Sequence, residues 1–264
     1  MSAEKASFDT PLDPTKLLFV QGSPERFTEV LPEIKRLRER HYTHNEDFSG
    51  RSTAQKLRFA GRMTDETWVD PAKITGTNRG QRHRSVQVVA ALDRQTGEVK
   101  GYAKSELNDS SKYERKLGKF WPLRPLARVV GRMERAHKQR KDPSAYTYVK
   151  LSETVRDTDQ PPKLESLLGA LALKAQVDEN PYLKKGTIYL HEDQEQLKQT
   201  TAAWGYAHDG NEPQPSQAFG PEPNDITHVE RHVTNDLSGS IAKMLHIAGV
   251  LIPPVTPLGG DLAG

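Results

Sequence analysis

Residues 146–206 constrain this chain more than any other stretch. They read YTYVKLSETVRD, TDQPPKLESLLGALALKAQVDENPYLKK and GTIYLHEDQEQLKQTTAAWGY. Thr147, Val149, Leu151 and Val155 alternate, which predicts a strand over 146–155 with those four on one face and Glu153 intruding among them. After Pro162, Leu164, Leu167, Leu168, Leu171 and Ala175 recur at three- and four-residue spacing, the period of an amphipathic helix. Gly186 to His191 is a short strand with Ile188 and Leu190 on one side. Asp193 can cap a following helix through Leu197, Thr200, Thr201 and Trp204, which Gly205 ends. A strand–helix–strand–helix succession buries its apolar faces by laying helices on a sheet, so a mixed α/β class is expected.

The flanks extend this pattern. Lys16 to Gln21 is a short apolar run, broken by Gly22, Ser23 and Pro24. Ser23 before Pro24 suits a helix start, and Phe27, Val30, Leu31, Ile34 and Leu37 predict one amphipathic helix from Glu25 to about Arg40. Leu57, Ala60 and Met63 mark a second over 52–63, before an irregular stretch to residue 84. Residues 85–93 and 98–107 form a hairpin, with Gly97 at a turn position that needs positive φ. Residues 209–225 read as a Pro-rich loop, 226–234 as a last strand and the stretch from Asp236 to about Gly249 as a last helix. The tail from residue 250 is expected to be extended, and residues 1–14 flexible.

The resulting order, strand, helix, helix, hairpin, strand, helix, strand, helix, strand, resembles the GCN5-related N-acetyltransferase (GNAT) superfamily. The closest local match is IYLHEDQEQLKQTTAAWGYAHDG over 188–210, where Asp193 and Gln194 stand at the family's Asp/Asn start and Gly205-Tyr206 at its Gly-Phe. The resemblance implies an acyl-CoA N-acyltransferase-like domain over 15–249, carrying a basic helical insertion over 108–144. It implies acetyl-CoA as cofactor, held near Val155, Arg156, Lys163 and Leu164, and transfer of its acyl group to an amine. Glu153 on the central strand, or His191 at the end of the next, would deprotonate that amine.

Two positions depart from the family pattern. The segment expected to hold the cofactor's pyrophosphate, Val155 to Lys163, has no glycine. It has two prolines, which lack an amide hydrogen, and the acids Asp157 and Asp159. The position four residues before Gly205, often the tyrosine that protonates the leaving thiolate, is Thr201. Tyr189 and Tyr206 are the nearby phenols left for that role. The alternative is therefore a catalytically inert GNAT-like structural or binding protein, a component of a larger assembly such as a phage particle.

Charge points to a partner. From Lys112 to Lys141 there are eleven Lys or Arg and two Glu, a segment of +9 in a chain of net +3, so the rest carries −6. Lys112, Arg115, Lys116, Arg128, Arg132, Arg135 and Lys138 are expected to meet an acidic partner, protein or nucleic acid, with Tyr113, Phe120 and Trp121 available to stack on bases. Leu126, Val129, Val130, Met133 and His137 share a helical stripe within this segment. There is no cysteine, which excludes disulfides, thiolate metal sites and a cysteine nucleophile. His228 and His232 have the spacing of a helical metal pair but fall in a predicted strand, and His41, His44 and Asp47 are no better placed, so no metal is expected. No run reaches the ~18–20 apolar residues that span a bilayer, so no membrane partner is expected. The N-terminus has no secretion signal, so the expected location is the cytoplasm, with a virion as the alternative.

Overall fold

The structure is a computed structural model that describes residues 10–44, 82–109, 124–142, 145, 147–191, 194–214 and 227–258. The helix expected over 52–63 and the residues Lys112, Arg115 and Lys116 lie outside them. The described strands are β1 (Leu17–Gly22), β2 (Arg82–Asp93), β3 (Val99–Asp109), β4 (Thr147–Arg156), β5 (Gly186–His191), β6 (Ala207–Gln214), β7 (Thr227–Thr234) and β8 (Val255–Pro257). The helices are α1 (Leu31–His44), α2 (Arg124–Gln139), α3 (Lys163–Glu179), α4 (Glu195–Ala203) and α5 (Leu237–Ala248). The eight strands form one sheet in the order β6-β7-β5-β4-β3-β2-β1-β8. β4 runs parallel to β5 and β1 parallel to β8; the other pairs are antiparallel. Among the described residues no helix is long and apolar enough to cross a membrane.

Each face of the sheet has its own core. On one, α3 and α5 cover Phe19, Val89, Ala91, Ala103, Leu107, Val149, Leu151, Ile188 and Leu190. On the other, α1 covers Val20, Val88, Ala90, Val99, Tyr102 and Val155 through Ile34 and Leu37. Burial of α3 runs almost all round, from Leu164 through Leu173 to Gln176, because both the sheet and α5 pack on it. Fully burying one such leucine contributes roughly 1.5–3 kcal/mol. Gly101 lets β3 approach α3: a Cβ there would lie 2.9 Å from both Leu168 Cδ1 and the Val155 carbonyl oxygen.

Several expectations are corrected. The helix expected from Glu25 begins at Leu31, after a 3-10 turn over Pro24–Phe27, and the Ser23 side chain caps nothing. Pro32 explains the late start, because its missing amide hydrogen is tolerated only in a first turn. Residues 209–214 belong to β6 instead of a loop; it is an edge strand, where Pro213 loses no bond to a second neighbour. The tail supplies β8, which pairs with the exposed edge of β1. α5 starts as expected: the Asp236 carboxylate accepts from the Gly239 amide at 2.9 Å, and Gly249 ends the helix at φ 69°.

The most consequential correction lies in β4. Its register against β3 passes from Glu153 opposite Lys104 to Leu151 opposite Ser105, so Ser152 is an extra residue, a β-bulge. An extra residue inverts the facing of every later side chain in the strand. Val149 and Leu151 therefore face α3, whereas Val155 belongs to the core under α1, and Glu153 meets α1 as well. The four alternating residues do not share one face, and Glu153 does not intrude among them.

Candidate functional site

The bulge sits where the central strands separate. β4 and β5 pair only from Val149–Gly186 to Leu151–Ile188. Beyond Ile188, β5 pairs with β7 alone, and β4 beyond Leu151 pairs with β3 alone. The gap between Ser152–Arg156 and Tyr189–His191 is thus a parting in the middle of the sheet. Together with the strand order, it defines the architecture: a mixed sheet of eight described strands with helices on both faces, parted at its centre, in an order of elements that resembles the GNAT pattern.

Solved structures with a similar chain path include an N-acetyltransferase from Staphylococcus aureus, at 10% identity, covering 84% of this chain and 98% of that one, with a TM-score of 0.43. A spermidine N-acetyltransferase variant from Vibrio cholerae is 10% identical, covering 86% of this chain and 96% of that one, with a TM-score of 0.42. A chain of the NatC complex bound to Gag peptide and CoA is 7% identical, covering 83% of this chain and 98% of that one, also with a TM-score of 0.42. No protein-family model matches the sequence, and no curated protein matches it. At such identity the likeness concerns the path of the chain and does not extend to its chemistry.

Under α1 the structure gathers a buried charged layer. Arg38 Nη2 lies 2.6 Å from Glu153 Oε1, and both side chains are almost fully excluded from solvent. Lys104, opposite Glu153 in the ladder, pairs with Glu106 at 3.1 Å and is equally buried. His41, one turn beyond Arg38, is half-buried as a residue. Burial of its imidazole is the main cause that holds its pKa down to about 4; the Arg156 and Arg38 guanidiniums push the same way, and a hydrogen bond with the Arg156 backbone opposes them. Sequence reasoning missed Arg38 and weighed His41 only as a metal ligand, though a signal was present: they extend the Ile34–Leu37 stripe at helical spacing, so α1 turns polar groups onto its buried side.

The predicted cofactor segment is built differently from a pyrophosphate cradle. Such a cradle needs free amides at a helix N-terminus. Here the Leu164 amide donates to the Pro161 carbonyl at 2.9 Å and the Glu165 amide to the Pro162 carbonyl at 3.0 Å. The amides of Asp157 and Gln160 go to the carbonyls of Lys100 and Asp157, and that of Thr158 to the Asp157 carboxylate. Arg156 closes the loop from within: its Nη1 donates to the carbonyls of Asp157 and Gln160 at 3.2 and 2.8 Å, and its Nε lies 3.2 Å from Glu165 Oε1. Asp157 is tied to Arg40 of α1 at 3.0 Å, and Asp159 to Lys100 at 3.2 Å.

Of the four residues expected to hold cofactor, Val155 is a core residue under α1, Leu164 a core residue of α3 itself, and Arg156 a loop staple. Lys163, half-buried at the start of α3, is the one whose amide and ammonium have no partner among the described residues. In this arrangement the segment does not fit a pyrophosphate, which would meet five spent amides, two prolines and two carboxylates.

The remaining candidates separate along β5. His191 ends the strand with its backbone opposite Val229. Tyr189 lies just past the last β4–β5 pair, with Lys150 Nζ 5.4 Å from its ring centroid. Thr201 is fully buried in α4. Tyr206 is wrongly placed for proton donation: its hydroxyl packs against Gly186, at the paired end of β5, and burial pushes the phenol well above its usual range. His232 stands opposite His208 on β6, their ring centroids 5.6 Å apart, and its Nε2 lies 3.2 Å from Glu230 Oε2. Among the described residues no group of three or more His, Asp or Glu is placed to hold a metal ion.

Proposed function

We propose that this chain is a GNAT-fold binding or structural component that does not use acetyl-CoA. The observation that carries the proposal is the internally closed N-terminus of α3: the Leu164 and Glu165 amides are hydrogen-bonded to the two proline carbonyls, and the Arg156 guanidinium is hydrogen-bonded to the loop carbonyls and ion-paired with Glu165. Opening that loop for a pyrophosphate would break charge-assisted bonds and expose Asp157 and Asp159 to like charge. Calorimetric titration with acetyl-CoA is expected to give no heat of binding at about 1 mM cofactor. Saturable binding below that concentration, weakened by Lys163→Ala, would refute this reading.

The second reading, an acyl-CoA-dependent N-acetyltransferase acting on an amine, is favoured by one specific observation. β4 and β5 part beyond Leu151 and Ile188, and the Ser152 bulge turns Glu153 to the α1 side of that parting. In that reading Glu153 or His191 is the base, and Lys163 supplies the cofactor's phosphate contact. The same titration separates the two.

A further inference from the structure

One helix of this chain turns its apolar side outward. In α2, Leu126, Val129 and Met133 are 55%, 57% and 69% exposed, and Ala136 next on the same side is exposed too. Spacings of three and four residues put them in one ridge, about 10 Å long from Leu126 to Met133. Gly131, on the opposite side, is buried. The C-terminal end of the helix is anchored where Gln139 Nε2 donates to the Ala145 carbonyl at 3.1 Å and to Thr147 Oγ1 at 3.3 Å. No other described helix or strand packs extensively on α2. Helices in proteins draw most of their stability from an apolar face that is covered, and here the large aliphatic side chains point away from the chain's own core.

Charge selects what covers the ridge. Residues 124–141 hold seven Lys or Arg against a single Glu, and Arg132, Lys138, Arg140 and Lys141 are exposed beside the ridge or at its end. A second copy of this helix would bring two such clusters together, which is repulsive. A nucleic acid would satisfy the cations but leave Leu126, Val129 and Met133 facing phosphate and water. An anionic lipid surface suits both features: its acyl boundary takes a convex aliphatic ridge without needing a matching groove, and its headgroups take the flanking cations. We propose that α2 is an interfacial helix that lies on anionic bilayers through Leu126, Val129 and Met133. This surface lies outside the parting of β4 and β5 and stands whichever reading of that site holds.

The test is flotation of the full chain with phosphatidylcholine vesicles, with and without phosphatidylglycerol, alongside a duplex DNA binding assay. Binding is expected only to the anionic vesicles. It should weaken when salt rises from about 0.1 M to about 1 M, as the screening length shortens from ~10 to ~3 Å. Val129→Glu with Met133→Glu, at exposed positions, should reduce vesicle binding at least about tenfold, with an unchanged circular dichroism spectrum. Arg132→Glu with Arg140→Glu should reduce it and remove the salt dependence. No binding to anionic vesicles overturns the proposal. Vesicle binding that survives the Val129/Met133 change overturns it too, since charge alone would then suffice. Binding to duplex DNA that Val129→Glu with Met133→Glu leaves intact, without vesicle binding, assigns the helix to nucleic acid instead.

Discussion

Replacing Glu153 with Leu tests the buried charged layer under α1. Arg38 is fully buried, and Glu153 Oε1 lies 2.6 Å from its guanidinium. The second pair, Lys104–Glu106, is held at 3.1 Å, so removing the Glu153 carboxylate takes one of the two anions that face two cations among the described residues of this layer. Removing one partner of a buried pair typically costs about 3–5 kcal/mol, because the other is stranded away from water. For a chain of this size that corresponds to a fall in Tm on the order of 10 °C. Replacing both partners, Arg38→Met with Glu153→Leu, removes the stranded charge and should recover most of the loss. Urea unfolding followed by circular dichroism of the wild type, both single variants and the double variant closes the cycle, with an expected coupling of at least about 2 kcal/mol. A Glu153→Leu protein within about 1 kcal/mol of wild type, or a double variant that costs the sum of the singles, would refute the reasoning. Glu153 would then be free of a structural duty and a better candidate for a chemical one.

Gly101→Val should destabilise the chain by roughly 1–3 kcal/mol by overpacking, since even a Cβ would lie 2.9 Å from the Leu168 side chain and the Val155 carbonyl; an unchanged urea midpoint would contradict the close approach of β3 to α3. His41 gives a pH dependence with a defined sign. Its folded pKa of about 4 lies below the ordinary 6.5, so between those values the unfolded chain binds more protons. Its contribution is therefore fully present above pH 6.5, is lost as pH falls toward 4 and levels off below that. The loss is up to about 3 kcal/mol. His41→Gln should flatten stability across that window, and a variant with the same pH slope as wild type would assign the dependence to other groups.

The sequence by itself determined the succession of strands and helices, because the periods of strand and helix are local: the alternation at 147–151, the leucine spacing at 164–171 and the Asp236 cap are each legible within a few residues. It also placed Pro161 and Pro162, which carry no amide hydrogen, immediately before the helix that begins at Lys163. Tertiary structure decided the rest. β6 and β8 carry no alternation of their own and are strands only because β7 and β1 offer unpaired edges. Glu153 reached the α1 side because pairing with β3 leaves Ser152 over, and a one-residue excess reverses every side chain after it. The closed N-terminus of α3 depends on where the Arg156 guanidinium and the proline carbonyls come to rest. Periodicity is written along the chain, whereas hydrogen-bond partners, buried charges and an uncovered helix face are set by neighbours in space that no local window contains.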